Sequence, residues 1–68
     1  MEKGRYLISE ARTNKQNNNS YVSYEEIEVL EISPSGIYVR VKFESDKKIW
    51  YIKEQFNARY SVVEKLGE

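Results

Sequence analysis

The sequence contains no cysteine and no histidine among its 68 residues. Without cysteine the chain cannot form a disulfide or a thiolate metal site, and without histidine it lacks the commonest metal ligand and general base. Serine and threonine have no candidate base to activate them, and no glycine-rich phosphate loop is present. These absences predict a protein that is not an enzyme and that uses no metal or other cofactor.

Long hydrophobic runs and a net charge are also missing. No apolar run approaches the roughly 18 residues of a bilayer-spanning helix, and the amino terminus lacks a hydrophobic signal core. Lysine plus arginine number 11, as do aspartate plus glutamate, so the formal net charge is zero. Proteins that bind a phosphate backbone usually carry a basic excess. We therefore expect a cytoplasmic protein of a microbe or a virus-infected cell, with no membrane partner and with nucleic acid disfavoured.

The short chain predicts a single domain over residues 1–68 with a small core. A chain of this length buries only about 60–65% of its unfolded surface. It contains six tyrosines, two phenylalanines and one tryptophan. Tyrosine suits half-buried strand positions and contact surfaces, because its ring packs while its hydroxyl stays hydrated. The composition is therefore typical of a small β domain.

The first part of the chain predicts a strand and a polar loop. Residues Arg5 to Ala11 alternate, with Tyr6 and Ile8 on one face and Leu7 on the other. Residues 13–20 contain four asparagines and no apolar side chain. Because such a segment gains nothing from burial, we expect a mobile loop there.

Residues 24–33 predict a second strand with a change of phase. Ile27 and Val29 share one alternation phase, whereas Leu30 and Ile32 share the other. One extra residue in a strand reverses the facing of all residues beyond it, so the phase change indicates a β-bulge at Val29–Leu30.

A turn at residues 33–36, which contains Pro34 and Gly36, leads into the clearest strand, residues 37–44. Strict alternation divides this strand into an apolar and a mainly charged face. The two faces are Ile37, Val39, Val41 and Phe43 against Tyr38, Arg40, Lys42 and Glu44.

Pairing these two strands across the turn predicts a register that brings opposite charges together, which supports it. The predicted pairs are Ile32 with Ile37, Leu30 with Val39, Ile27 with Val41, Glu28 with Arg40 and Glu26 with Lys42.

The last third of the chain predicts a turn at 45–47, a strand at 48–52, a helical or 3₁₀ turn within 53–59 and a last strand at 60–66. One amphipathic helix over 53–66 is the alternative. The β-branched pair Val62–Val63 and the lack of a strong N-cap favour the strand.

Trp50 has two alternative positions in this scheme. A two-residue turn sets Trp50 opposite Val41 and buries the indole, and this is the preferred alternative. A one-residue change in the turn places it outside beside Lys42, where it becomes a candidate for ligand contact.

This order of elements resembles the SH3-like small β-barrel. Residues 49–52, 56–59 and 60–63 resemble its fourth strand, 3₁₀ turn and fifth strand. The resemblance covers nearly the whole chain and rests on element order, and the acidic loop and Pro-x-x-Tyr segment of signalling SH3 domains are absent. It implies an all-β, five-stranded barrel with a binding function, as in small accessory proteins of phages and mobile elements or in ribosomal, chromatin and transcription modules.

Aromatic and basic side chains interleave on the predicted outer face and supply the candidate partner-binding residues. These are Tyr38, Arg40, Lys42, Tyr51, Lys53 and Arg59. Such a face can stack bases and hold phosphates, but the strand pairing that exposes its cations also supplies counter-ions. We therefore expect stoichiometric binding of a protein, with weak nucleic-acid binding as the alternative. Incompletely paired sheet edges also allow a homodimer.

Overall fold

The computed structural model describes residues 2–67, and Met1 and Glu68, the ends of the predicted 1–68 domain, lie outside these residues. Five antiparallel strands form one sheet in the order β4-β3-β2-β1-β5, with a short helix before the last strand. The predicted all-β fold class is confirmed. The elements in chain order are β1 (Gly4–Thr13), β2 (Ser20–Ile32), β3 (Tyr38–Lys42), β4 (Lys48–Ile52), α1 (Lys53–Arg59) and β5 (Ser61–Gly67).

The sheet is consistent with a small barrel-like fold, but it does not close. β4 and β5 are the first and last members of the strand order, so they are separate edges of the sheet. Closure removes the unpaired backbone groups of edge strands. This sheet therefore keeps two edges whose backbone groups are open to other contacts.

The core lies on one face of the sheet and is covered by α1. Alternation puts every second side chain of β1 and β3, and of β2 as far as Val29, on this face. The phenyl ring of Phe56 is the only buried side chain that α1 contributes within the described residues. The core consists of Tyr6, Ile8, Ile27, Val29, Val39, Val41 and Phe56.

The long β1–β2 hairpin turns through the polar segment that was predicted as a loop. Thr13 pairs with Ser20, so the strands extend further than expected and leave residues 14–19 in the turn. The Asn18 N–H donates to the Asn14 carbonyl at 2.8 Å, and Asn18 has a left-handed φ of 58°. Asparagine tolerates this conformation better than most residues. The mobility of the loop stays a prediction.

The bulge in β2 is confirmed at its predicted place. Val29 pairs with Val41 and Ile32 with Val39, and the register shifts between these pairs. Leu30 is therefore the extra residue. The bulge lets Ile32 and Val29 both pair with strand positions whose side chains face the core.

The predicted register across this bulge is wrong. The Ser33 N–H donates to the Tyr38 carbonyl at 2.9 Å, so the turn occupies 34–37, one residue further along than expected. Ile37 consequently lies in the turn and is 53% exposed. Each β2 residue pairs with a β3 residue two positions beyond the predicted one. Because side chains alternate with a period of two, Val39 still faces inward. The pairs that are not formed are Ile32 with Ile37, Leu30 with Val39, Ile27 with Val41, Glu28 with Arg40 and Glu26 with Lys42.

β4 has the predicted bounds, but the preferred position of Trp50 is wrong. The Phe43 N–H donates to the Lys47 carbonyl, and Trp50 pairs with Arg40 on the outer face. The hairpin loop thus has one residue more than expected, with Asp46 at a left-handed φ of 65°. A left-handed residue is typical of the last position of a three-residue hairpin loop. One added residue exchanges the two faces of β4.

α1 ends at Arg59, and the alternative of one helix over 53–66 is wrong. The Tyr60 N–H donates to the Phe56 carbonyl at 2.9 Å, but Tyr60 itself has extended dihedral angles, φ −119° and ψ 149°. The β-branched residues that follow favour the extended chain of β5. α1 has seven residues, about two turns, whereas a single turn was predicted. No helix within residues 2–67 combines the length and hydropathy needed to cross a bilayer.

The same substitution at a core and at an exposed isoleucine tests this packing. Ile8 is 1% exposed, whereas Ile37 is 53% exposed. We expect Ile8→Val to lower the free energy of unfolding by about 1 kcal/mol through the lost methylene group and the cavity it leaves. Ile37→Val should change the same quantity by less than about 0.5 kcal/mol. Urea unfolding followed by tryptophan fluorescence measures both, and equal effects would contradict the assigned core.

Candidate partner-binding surfaces

The outer face of β3 and β4 carries a contiguous set of aromatic, basic and apolar side chains. β3 and β4 pair without irregularity, so residues opposite each other point to the same side of the sheet. Three cross-strand pairs face outward and form what we name the outer patch. They are Tyr38 with Ile52, Arg40 with Trp50, and Lys42 with Lys48.

Trp50 and Tyr38 are about half exposed, at 49% and 47%, and Ile52 is also exposed. Next to them, a shallow groove of about 420 Å³ runs between the β3 turn and α1. Exposed Ile37 lines the groove, and the Lys53 N–H donates to its carbonyl at 2.8 Å. The outer patch thus continues into an apolar groove with Lys53 at its margin.

The cations of the outer patch have acidic neighbours. The Arg40 guanidinium lies 3.0 Å from a Glu31 carboxylate oxygen, and the Lys42 ammonium lies 3.4 Å from an Asp46 carboxylate oxygen. Glu28 pairs with Lys42 across β2 and β3. The predicted counter-ions were Glu28 for Arg40 and Glu26 for Lys42, and both assignments are wrong because the register differs. The inference that these cations are neutralised nevertheless agrees with the contacts.

The structure separates the six predicted site residues into two groups. Tyr38, Arg40 and Lys42 lie together on the outer patch, with Lys53 beside it. Tyr51 points the other way because it pairs with buried Val39. Arg59, at the end of α1, lies with it on the inner side; both line the same depression. Whether any of the six contacts a partner stays a prediction.

Three members of the outer patch, Lys48, Trp50 and Ile52, were missed as site residues. The signal for them was present in the sequence, because alternation within β4 places all three on one face. The face of the sheet on which these side chains lie is set by the length of the loop before β4. Asp46 is a residue that adopts left-handed conformations more readily than most, which is consistent with a three-residue loop but does not require it.

On the inner side, four rings pack together in what we name the aromatic cluster: Phe43, Tyr51, Phe56 and Tyr60. The centroids of the Phe56 and Tyr60 rings are 4.7 Å apart, and those of Tyr51 and Phe56 are 5.2 Å apart with a T-shaped geometry. Such pairs add about 0.5–1.5 kcal/mol beyond simple burial. Burial is the main cause that raises the pKa of the Tyr60 hydroxyl, and the electrostatic effect of the neighbouring Tyr51 raises it further. The cluster joins β4 and α1 to the start of β5.

Arg59 is held by contacts inside the protein. Its Nε donates to Glu10 Oε2 at 2.7 Å, and its guanidinium carbon lies 5.3 Å from the centroid of the Tyr60 ring. Arg12 Nε donates to the other Glu10 oxygen at 3.0 Å. The hydrogen bond from Arg59 is the main cause that lowers the pKa of Glu10, against an opposing effect of burial. This contact ties the end of α1 to β1.

A second depression, of about 400 Å³, opens over the aromatic cluster between the β3–β4 loop and the end of α1. Its floor is aromatic and its rim carries charges of both signs. Its lining residues are Glu25, Phe43, Ser45, Lys47, Ile49, Tyr51, Arg59 and Tyr60. The rim cation Arg59 is engaged by Glu10, just as Arg40 and Lys42 of the outer patch are engaged by acidic neighbours.

Comparison of the chain with protein-family models, curated proteins and solved structures finds no match. Among residues 2–67, no three aspartate or glutamate side chains lie close enough together to hold a metal ion. Evidence for a function therefore comes from the two surfaces and the sheet edges described above.

The Glu10–Arg59 contact predicts a pH-dependent contribution to stability. Since the pKa of Glu10 is lower in the folded protein, its contribution is present above the ordinary value of 4.5 and is lost as the pH falls through the lowered value. The difference in unfolding free energy between wild type and Glu10→Gln should therefore shrink as the pH falls from neutral to about 3. Urea unfolding at each pH measures it.

Glu64→Gln, at an exposed position of β5, is the matched control for the loss of one carboxylate. Its difference from wild type should not follow the same trend. A Glu10→Gln effect that stays constant across the acidic range would show that the contact with Arg59 contributes nothing in solution.

Proposed function

We propose that the protein is a non-catalytic binding module that holds a protein partner stoichiometrically on its outer patch. The observation that carries the proposal is the half-exposed Trp50 beside Tyr38 and Arg40. Tryptophan, tyrosine and arginine contribute most of the binding energy at protein interfaces. Isolated exposed apolar residues are common, but a contiguous patch of them is typical of an interaction site.

The strand β3, which carries half of the outer patch, packs its other face into the core. Val39 and Val41 alternate with its β3 members, and both are fully buried. Side chains that stand on a packed strand lose little further freedom when a partner binds, which favours affinity. A loop-borne surface of the same composition would lose more.

The charges of the patch favour a protein over a polyanion. The ion pair of Arg40 with Glu31 and that of Lys42 with Asp46 put both signs at the patch. Mixed charge around an aromatic centre is the usual arrangement at the rim of a protein interface. A nucleic acid would have to displace the carboxylates before it met the cations.

The proposal includes an SH3-like barrel as the finer description of the fold. Its support is the element order, with the short α1 directly before β5, and the sheet order that runs from β4 to β5. That the chain is an accessory protein of a phage or mobile element, and that it acts in the cytoplasm, stay predictions.

Truncation of the tryptophan tests the proposed surface. Trp50→Ala should weaken binding of the partner by about 30-fold, which corresponds to a loss of about 2 kcal/mol. The matched control is Tyr21→Ala, because Tyr21 is an equally exposed aromatic on the β1–β2 hairpin. We expect this control to bind as wild type does.

The measurement has two stages. Immobilised wild type and variants are first compared for protein captured from nuclease-treated lysate of the source organism, and the captured protein is then purified and titrated calorimetrically. Equimolar binding that Trp50→Ala loses and Tyr21→Ala keeps supports the proposal. A partner that binds Trp50→Ala as tightly as wild type, or a wild type that holds no protein, refutes it.

Nucleic-acid binding is the second candidate function, and the exposure of Trp50 among Arg40, Lys42 and Lys48 is what favours it. Aromatic rings interleaved with cations can stack the bases of a single strand. Because the counter-ions described above oppose it, we expect no salt-dependent binding of fluorescent oligothymidine or of a short DNA duplex. Fluorescence anisotropy with wild type and Arg40→Glu/Lys42→Glu tests this. Binding that weakens with salt and disappears in the double variant would replace the protein-binding proposal.

A further inference from the structure

The two edges of the sheet differ in regularity. The register between β5 and β1 shifts twice, between Arg5 and Tyr6 and between Leu7 and Ile8. Such bulges disturb an edge and hinder the addition of another strand. β4 pairs with β3 without any shift, from Lys48 to Ile52. Of the two outermost strands, β4 is therefore the regular one. Within the described residues the ladder between β2 and β3 begins only at Glu28, so the preceding part of β2 is open on that side as well.

The hydrogen bonds on either side of β4 show which of its backbone groups are free to pair. The Lys53 N–H donates to the Ile37 carbonyl, and the Phe43 N–H donates to the Lys47 carbonyl. In an antiparallel ladder, residues alternate between bonding the neighbouring strand and facing away from it. Lys47, Ile49, Tyr51 and Lys53 thus face β3, and the backbone groups of Lys48, Trp50 and Ile52 lie on the open edge.

We propose that a second copy of this chain pairs along β4, antiparallel and centred on Trp50, so that the two sheets become one. A two-fold axis perpendicular to a sheet keeps its faces aligned and sets one residue opposite itself. Trp50 is the middle residue of β4, and its backbone groups lie on the open edge. It therefore exchanges both hydrogen bonds with Trp50 of the second copy, and Lys48 bonds Ile52 on either side.

The sequence of β4 is complementary to itself in this register. Within β4 no like charges meet, because Lys48 lies opposite Ile52 of the second copy. Lys47 and Lys53 come opposite each other just beyond the two ends of the strand, so like charges limit the pairing to these five residues. Centring the pair on Lys48 would instead put two ammonium groups in the middle of the ladder. The chain also has a formal net charge of zero, so two copies do not repel each other at long range.

Pairing of this kind also covers apolar surface. The exposed indole of Trp50 lies beside that of the second copy, and Ile52 lies beside the aliphatic part of Lys48. Both outer patches then lie on the same side of the joined sheet. This inference rests on the β4 backbone and shares Trp50 with the partner-binding proposal, but the two fail separately because capture of a partner and self-association are different measurements.

Ile52→Pro tests the edge without disturbing the monomer. Ile52 has φ −71° and ψ 123°, and proline fixes φ near this value, so the substitution removes an edge N–H without backbone strain. Ile52→Ala is the matched control, because it also truncates the side chain but keeps the N–H. Far-ultraviolet circular dichroism checks that each variant is folded.

Sedimentation equilibrium from micromolar to millimolar concentration provides the measurement. Wild type should show a monomer–dimer equilibrium, and Ile52→Pro should weaken it by about 30-fold more than Ile52→Ala does, since each dimer loses two hydrogen bonds. A wild type that is monomeric throughout the range overturns the proposal. So does Ile52→Pro that is folded and associates as strongly as Ile52→Ala.

A second experiment tests the register and does not depend on the proline variant. The chain has no cysteine, so a single introduced thiol can link only to its counterpart. In Trp50→Cys the two Cα atoms would lie about 5.5 Å apart, within disulfide range. In Lys48→Cys they would lie about 14 Å apart along the strands, too far for a bond. Rapid disulfide-linked dimer from Trp50→Cys alone supports the register, and preferential linkage of Lys48→Cys refutes it.

Discussion

The structure depends on the burial of Val39 and Val41 in one apolar cluster with Phe56. Both valines have no exposed surface, and they occupy alternate positions of β3, which lies between β4 and β2. They belong to the seven buried residues of the core, and a chain of 68 residues has only a small core. Because strand residues alternate between faces, burying these valines simultaneously fixes Tyr38 and Arg40 on the outer face. The core and the outer patch are thus two consequences of one alternating pattern.

The helix and its contacts connect parts of a sheet that does not close on itself. α1 follows β4 directly, its Phe56 enters the core, and its last residue, Arg59, bonds Glu10 of β1. The chain therefore passes from one edge strand across the inner face before β5 begins on the other edge. The aromatic cluster packs along this path. In a closed barrel, hydrogen bonds between β4 and β5 would join the two edges of the sheet. In this protein, side-chain packing of α1 and the aromatic cluster connects them instead.

The sequence predicted strands better than it predicted the turns between them. Alternation located the inward valines, a short run with apolar residues on both faces located β4, and the change of phase located the bulge at Val29–Leu30, because each depends on local pattern. The lengths of the hairpin loops depend on backbone conformations such as the left-handed Asp46, which several sequences can adopt. An error of two residues in the register between β2 and β3 left Val39 facing inward. An error of one residue in the length of the β3–β4 loop moved the Trp50 side chain to the opposite face of the sheet, and the outer patch was therefore predicted incompletely.

Charge pattern was a weak guide to register for a related reason. β2 carries glutamates at 25, 26, 28 and 31, so almost any register sets an acid near Arg40. The contact that forms uses Glu31. Exposed pairs of this kind contribute about 0–1 kcal/mol, which is too little to select one register against the burial of Val39 and Val41.

The contrast between the two edges also limits what self-pairing can produce. A two-fold contact along β4 uses the same strand on both copies, so it closes after two chains. The outermost strands of the joined sheet are then the two β5 strands, whose register is interrupted twice. Bulged strands resist further addition, whereas a regular strand on both edges would allow open-ended growth. An exposed tryptophan on a regular edge is thus compatible with a protein that stays a defined small assembly.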